Sequence, residues 1–285
     1  MHRDPHHPKS RRGIVPWVLL VLAALAGPAS AQNQTPAPGG SPAQTDVTVA
    51  IVLAVDTSGS VSNGRFELQK QGYAAAFRNP QVLNSIHSLP TQAIAVTMMQ
   101  WTGPRLHVVV ADWTLINDKA SADAFAAAID AAPRQLFGGG TSISGAIDYS
   151  RVLLAGNPFR ATRRVIDISG DGSNNSGRSV TQARDEAVAD GIGINGLPIL
   201  TVEPGLDHYY YDNVIGGPGA FMIPAENYDT FADAILKKLI NEIAMAEPGA
   251  DQTFAAAVSQ SRPRLRQNLA TSVLPKLPVS KSAMP

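Results

Sequence analysis

The chain has 285 residues with 23 basic and 23 acidic side chains, so its formal net charge is zero. A neutral chain has no general electrostatic attraction for nucleic acid, and we expect no nucleic-acid partner. The absence of cysteine excludes disulfides, thiolate zinc sites and cysteine nucleophiles.

The N-terminal segment has the pattern of a secretory signal peptide. Arg11-Arg12 precedes an apolar stretch at 14–26, and Ala29-Ser30-Ala31 is a small-x-small cleavage site. The apolar stretch is short for a membrane span and Pro16 interrupts it, so we expect cleavage and no stable membrane insertion afterwards. Removal of residues 1–31 would leave a mildly acidic chain in the periplasm or outside the cell. An uncleaved membrane anchor is the alternative.

Composition divides the remaining chain into three parts. Residues 32–46 are rich in Pro, Gly, Gln and Ser, which predicts a flexible linker. Residues 47–246 carry the periodic apolar segments of a folded domain. Residues 247–285 are interrupted by prolines and mildly basic, which predicts a poorly ordered tail.

The first half of the domain begins with an apolar strand. Val47–Val55 is apolar on both faces, a pattern typical of the buried centre of a parallel sheet. Phe66–Phe77 predicts a helix that ends at Asn79-Pro80. Ala93–Trp101 and Leu106–Trp113 have the spacing of a hairpin, which places one antiparallel strand beside an otherwise parallel sheet.

The second half alternates helices with strands. Strands that alternate with helices predict a doubly wound α/β fold, with a mostly parallel sheet, one antiparallel edge strand and helices on both faces. The predicted elements are helices at Asp118–Ala131 (capped by Ser121 or Asn117), Ile143–Leu154, Val180–Ala189 and Tyr228–Ala246, strands at Arg164–Ser169, Ile192–Leu200 and Phe221–Ile223, and a surface loop at Tyr209–Tyr211.

Oxygen-bearing side chains follow the predicted strands. Asp56, Ser58 and Ser60 follow the first strand, Asp171 follows a later strand, and Thr141 ends a glycine-rich loop. Loops after neighbouring strands of a doubly wound sheet converge on one crevice. Two carboxylates and three hydroxyls, without nitrogen or sulfur ligands, favour Mg²⁺ or Mn²⁺ over zinc, and calcium usually takes more carboxylates than this set offers.

The set Asp56-x-Ser58-x-Ser60, Thr141 and Asp171 resembles the metal-ion-dependent adhesion site of von Willebrand factor type A domains. The text around it resembles a bacterial exported branch of that superfamily of unknown function, DUF1194. The resemblance implies that the three hydroxyls ligate the ion, that both carboxylates bind it directly or through water, and that a partner's carboxylate completes the coordination. One departure is the sequence around Asp171, which reads Ser-Gly-Asp-Gly instead of the commoner Thr-Asp-Gly.

Other interpretations of the same segments have weaker support. The sequence at 56–60 is also a common turn, and it resembles one aspartic-protease loop without the second loop that would pair its carboxylate. The glycines at 138–140 are not followed by the Lys-Ser/Thr of a P-loop. Ser144 and Ser176 lack a G-x-S-x-G elbow.

The leading functional hypothesis is a non-enzymatic, exported binding module that captures an Asp or Glu carboxylate of an unidentified partner protein. Two carboxylates just neutralise a divalent ion, so its open position stays electrophilic. The alternative is a metal-dependent hydrolase of phosphoesters. Against it, the motif loops contain no histidine or spare carboxylate, and Asp171 would have to be both ligand and base. A small-solute receptor would need a deep two-lobed cleft.

Overall fold

The strand that begins at Asp46 is the central strand of a five-stranded sheet. The computed structural model describes residues 44–245. The strands are β1 (Asp46–Asp56), β2 (Ile94–Trp101), β3 (His107–Ile116), β4 (Arg160–Gly170) and β5 (Ile192–Pro198). They lie in the order β3-β2-β1-β4-β5, and each neighbouring pair is parallel except β2–β3. The predicted hairpin is therefore confirmed as the antiparallel edge.

Helices cover both faces of the sheet, which confirms the predicted doubly wound α/β fold. The helices are α1 (Asn63–Arg78), α2 (Pro80–His87), α3 (Lys119–Ala131), α4 (Ile143–Ala155), α5 (Val180–Ala189), α6 (Leu206–Tyr209), which runs into a π-helical turn (Tyr210–Val214), and α7 (Phe231–Ala244). The first three and α7 form one apolar layer with the sheet, and α4, α5 and α6 form the other. Every residue of β1 after Asp46 is buried as a result.

The order of the strands places the end of β1 at the ligand-binding edge of the sheet. β1 pairs with β2 on one side and with β4 on the other, so the winding reverses direction at β1. The carboxyl ends of these three strands open at one edge, which is where doubly wound sheets bind ligands. Thr57 extends the pairing beyond β1, because its N–H donates to the carbonyl oxygen of Trp101 at 2.9 Å.

Capping side chains set the helix boundaries that the sequence analysis placed differently. α1 begins at Asn63 and not at Phe66, because the Ser62 hydroxyl accepts a hydrogen bond from the N–H of Arg65. The N-cap of α3 is Asp118, so the predicted caps at Ser121 or Asn117 are wrong. Asp118 and Ser121 form a reciprocal capping box.

Helix α2 was not predicted from the sequence. The Asn79-Pro80 pair predicts only the end of a helix, and Asn79 does end α1. The Asn79 side chain also accepts a hydrogen bond from the N–H of Gln81, and Pro80 occupies the first turn of the next helix. A single Asn-Pro pair therefore ends one helix and begins another.

The predicted surface loop at Tyr209–Tyr211 is helical instead. It spans the end of α6 and the π-helical turn, and Tyr210 is fully buried while Tyr211 is exposed. Gly196 on β5 makes room for this ring, because a Cβ there would lie 2.7 Å from Cδ1 of Tyr210. The four-residue spacing of buried Leu206, Tyr210 and Val214 is the sequence signal that could have identified the helix.

The predicted last strand at Phe221–Ile223 pairs with β5 only through isolated bridges. The backbone of Gly196 is hydrogen-bonded to Phe221 and to Ile223, and the next backbone hydrogen bond to this segment is made by Ala225. Pro198 on β5 lies between these two places and has no N–H to donate to the facing carbonyl group. The ladder is therefore interrupted.

A buried ionic cluster attaches α7 to the sheet. Nζ of Lys238 lies 2.7 Å from Oδ2 of Asp167 on β4 and 3.1 Å from Oε2 of Glu242, and all three side chains are fully buried. Asn195 on β5 donates to Oε1 of Glu242 at 2.6 Å. Burial raises the pKa of Asp167, although Lys238 opposes the shift. The cluster joins two strands to the last helix.

Several predicted segments lie outside the residues that the structure describes. The predicted signal peptide at 1–31, most of the predicted linker and the predicted tail at 247–285 lie outside 44–245. Within the described part, no helix is both long enough and apolar enough to cross a membrane.

Replacing Gly72 with alanine is expected to destabilise the domain by about 1–3 kcal/mol. A Cβ at this position of α1 would lie 2.7 Å from Cδ1 of Phe231, at the contact of α1 with α7. Gly64 in the same helix is the control, because a Cβ there meets nothing nearer than the Ser62 hydroxyl at 4.0 Å. Gly64→Ala is expected to be neutral or stabilising. Urea unfolding measures both, and equal effects would contradict the close packing.

Candidate metal centre

Three of the predicted site residues lie at the end of β1 and in the loop that follows it. Asp56 ends the strand, is fully buried, and accepts a hydrogen bond through Oδ1 from the N–H of Ser58 at 2.7 Å. The hydroxyl oxygens of Ser58 and Ser60 lie 3.1 Å apart. Two side chains from other elements fix the loop: Nε2 of Gln69 donates to the carbonyl oxygen of Asp56, and Arg134 donates to that of Ser58.

Asp171, just after β4, lies against the same loop. Its Oδ1 accepts a hydrogen bond from the Ser60 hydroxyl, and its Oδ2 accepts one from the Tyr228 hydroxyl at 2.8 Å. Nη1 of Arg65 is 3.7 Å from the same Oδ2. Burial beside Asp171 raises the pKa of Tyr228, so this phenol stays protonated and acts as a donor. The structure therefore brings Asp56, Ser58, Ser60 and Asp171 into one cluster.

Gly170 accounts for the departure of this loop from the commoner Thr-Asp-Gly pattern. A Cβ on Gly170 would lie 3.0 Å from Oδ2 of Asp56 and 3.0 Å from the hydroxyl oxygen of Tyr210. Any side chain at 170 would therefore crowd the carboxylate of Asp56 or displace the buried ring of Tyr210. The small residue before Asp171 makes room for the candidate site.

Thr141 is held beside the Asp171 loop by its backbone. Its N–H donates to Oδ1 of Asn175 at 2.8 Å, and its carbonyl oxygen accepts the N–H groups of Asn175 at 2.9 Å and Ser176 at 3.2 Å. Oγ1 of Thr141 lies 3.6 Å from the point where a Cβ on Gly172 would stand. Within 44–245 the Thr141 hydroxyl makes no hydrogen bond to the other four predicted residues, so it borders the cluster without being hydrogen-bonded to it.

The glycine-rich loop before Thr141 is organised by Thr102 at the end of β2. The Thr102 hydroxyl donates to the carbonyl oxygens of Gly138 and Gly140, and its own carbonyl oxygen accepts the N–H of Ser142. Gly139 has a φ of +84°, and a Cβ there would lie 3.0 Å from the Thr102 hydroxyl oxygen. The glycines allow this loop to approach β2 closely and present Thr141.

Asp56 carries an uncompensated carboxylate oxygen. Among the described residues Oδ2 is buried and accepts no hydrogen bond. Burial, with the nearby charge of Asp171, raises the pKa of Asp56 to about 7, although Ser58 and the backbone N–H of Asp171 oppose the shift. A buried acceptor without a donor is costly, and a cation would remove that cost.

The donor set fits a hard divalent cation. It consists of two carboxylates and three nearby hydroxyls, all of them oxygen donors. No group of three His, Asp or Glu side chains arranged to hold a metal occurs in residues 44–245. A cation at this place would therefore depend on the hydroxyl groups.

Sequence reasoning missed several residues that shape the cluster. Arg65 and Tyr228 contact Asp171 across long stretches of chain. Tyr228 is the first residue of the predicted last helix, which instead begins at Phe231. Glu203 brings a further carboxylate to the Asp171 loop, where Oε2 accepts the N–H of Ser173 at 2.7 Å. None of these contacts leaves a local sequence pattern.

A family model matches residues 46–247, and its description is "Protein of unknown function (DUF1194)". The chain belongs to the DUF1194 family. No curated protein matches the chain. The DUF1194 domain is similar to the pilus adhesin SpaC from Lactobacillus rhamnosus GG, at 15% identity and a TM-score of 0.51, over 72% of this chain and 31% of SpaC. At this identity the likeness between the two proteins shows a shared fold alone.

Two further structures resemble the DUF1194 domain. A von Willebrand factor type A protein from Catenulispora acidiphila has 16% identity and a TM-score of 0.48, over 72% of this chain and 43% of that one. Proximal thread matrix protein 1 from the mussel byssus, with zinc in its metal-ion-dependent adhesion site, has 14% identity and a TM-score of 0.48, over 70% and 46%. The DUF1194 chain spans less than half the length of all three proteins.

Replacing Asp56 with asparagine is expected to stabilise the metal-free domain at pH 8 by about 1–3 kcal/mol. The folded-state pKa of Asp56, about 7, lies above its ordinary value of 3.8. The folded domain therefore binds more protons than the unfolded chain between these values, and wild-type stability falls as the pH rises through them. Asparagine keeps the acceptor for Ser58 and removes the charge.

Urea unfolding in chelator at pH 5 and pH 8 measures this effect. The gain from Asp56→Asn should be larger at pH 8. Asp112→Asn, at an exposed position of β3, is the control and should change stability by less than about 0.5 kcal/mol. A loss of stability for Asp56→Asn at pH 8 would contradict the assignment of an uncompensated carboxylate.

Proposed function

We propose that this domain is an exported binding module that uses a divalent cation, Mg²⁺ or Mn²⁺, to capture an Asp or Glu carboxylate of a partner protein. The observation that carries the proposal is the buried, unpartnered Oδ2 of Asp56 beside the hydroxyls of Ser58 and Ser60. Thr141 and Asp171 complete the proposed ligand set. Oxygen donors of both kinds are the ligands that these cations prefer.

The residues of the cluster have distinct proposed roles. Ser58, Ser60 and Thr141 would bind through their hydroxyls, and Asp56 and Asp171 directly or through water. When bound, a divalent cation supplies an electrophilic coordination position for an outside oxygen. Capture of a carboxylate follows from charge, because the two protein carboxylates only just neutralise the cation.

The surroundings of the cluster support binding in preference to turnover. Asp171 has both oxygens engaged by protein donors, Ser60 and Tyr228, and these contacts leave it poorly disposed to act as a general base. A part of the pilus adhesin SpaC, 31% of its chain, has a similar fold, and a binding role is consistent with that likeness. The proposed location, in the periplasm or outside the cell, rests on the N-terminal sequence pattern.

The proposal is tested with Mn²⁺ as the probe and the full chain as the protein. Bound Mn²⁺ that keeps an exchangeable water is expected to enhance the relaxation rate of water protons. Addition of the peptide acetyl-Gly-Glu-Gly-amide should lower that enhancement, because its carboxylate replaces the water. The matched peptide with Gln in place of Glu is the control and should leave the enhancement unchanged.

Variants of the proposed ligands complete this test. Asp56→Ala and Ser58→Ala should each weaken Mn²⁺ binding at least about tenfold, since each removes an oxygen ligand. Ser85→Ala, at a half-buried position of α2, should bind Mn²⁺ like the wild type. Unchanged Mn²⁺ affinity in Asp56→Ala would refute the site. Steady, Mg²⁺-dependent hydrolysis of p-nitrophenyl phosphate, lost in Asp171→Ala, would favour the phosphoester hydrolase.

A further inference from the structure

Arg65 is held at the edge of the candidate metal centre with half of its guanidinium unused. Nη1 donates to the carbonyl oxygen of Ser60 at 2.7 Å and lies 3.7 Å from Oδ2 of Asp171. The guanidinium also lies over the ring of Tyr228, 5.3 Å from its centroid. Three contacts from separate parts of the chain therefore fix its orientation.

The other edge of the same guanidinium has no partner. Within residues 44–245, Nε and Nη2 of Arg65 make no hydrogen bond, and the side chain is 33% exposed. Two parallel N–H groups on one edge match the two oxygens of a carboxylate. Arg134, which donates to the loop after β1, has no such free edge. Its Nε, Nη1 and Nη2 all donate to protein oxygens.

The charge of Arg65 also changes the balance of the proposed site. The carboxylates of Asp56 and Asp171 together neutralise one divalent cation. Arg65 adds a positive charge beside the loaded site, which favours a ligand that carries a second negative charge. The same positive charge, close to Asp171, opposes the binding of the cation itself.

We propose that Arg65 is a second carboxylate-binding group, so that the site recognises a partner segment with two neighbouring acidic residues. One carboxylate completes the cation site and the other binds the free Nε–Nη2 edge of Arg65. This inference rests on the proposed function and specifies the class of partner, a segment with two neighbouring acidic residues. It assigns Arg65 a role in specificity, at the cost of weaker cation binding.

The test compares two peptides on the Mn²⁺-loaded full chain, acetyl-Gly-Glu-Gly-amide and acetyl-Gly-Glu-Glu-Gly-amide. In the wild type the second glutamate should tighten binding at least about threefold. Arg65→Gln should abolish that gain, so that the two peptides bind this variant equally well. Arg65→Lys keeps the charge without the two-pronged edge, and should retain less of the gain than the wild type.

Cation affinity provides an independent readout that a structural role of Arg65 would not give. Arg65→Gln should bind Mg²⁺ about two- to fivefold more tightly by calorimetry, because a neighbouring positive charge is removed. Arg105→Gln is the matched control, since Arg105 is exposed at the same edge of the sheet, in the β2–β3 loop. It should alter neither the gain nor the Mg²⁺ affinity.

The outcomes separate this inference from the function on which it rests. In one outcome, the single-glutamate peptide binds only when the cation is present, while the second glutamate adds no affinity in the wild type. That result would refute the role of Arg65 and leave the proposed function intact. An equal gain in the wild type and Arg65→Gln would refute it as well. If neither peptide displaces water from bound Mn²⁺, the proposed function itself fails.

Discussion

The carboxylate of Asp56 is buried at the end of the central strand, and this position constrains the rest of the candidate site. One oxygen accepts the N–H of Ser58, while the other has no donor among the described residues. Burial of such a group is unfavourable, and its raised pKa expresses that cost. The chain retains it because β1 is paired on both sides and cannot move the carboxylate into water.

The loops around Asp56 are held by polar side chains that bind backbone groups. Thr102 fixes the glycine-rich loop, Arg134 fixes the loop after β1, and Asn175 joins Thr141 to the Asp171 loop. Each of these side chains comes from a different segment of the chain. The oxygen donors are therefore positioned by cross-connections between loops as well as by the strands that precede them, which is the support a preorganised site requires.

The parts of the structure that could be predicted from the sequence are those that leave a local pattern. The unbroken apolar run of β1 indicated a buried strand, and the alternation of elements indicated the doubly wound fold. The second role of Asn79 was missed because one residue can end a helix and begin the next. In the sequence, Lys238 looks like an ordinary charged residue on the polar face of an amphipathic helix. Only the tertiary fold places it against Asp167. The roles of such residues depend on contacts between segments that are distant in the sequence.

The buried cluster of Lys238 limits how α7 can move along the sheet. Sliding this helix by one turn would move Lys238 about 5.4 Å along the helix axis, away from Asp167. Asp167 would then be stranded without its cation, and Glu242 would lose the amide of Asn195. The last helix is thus anchored against piston-like motion along its own axis.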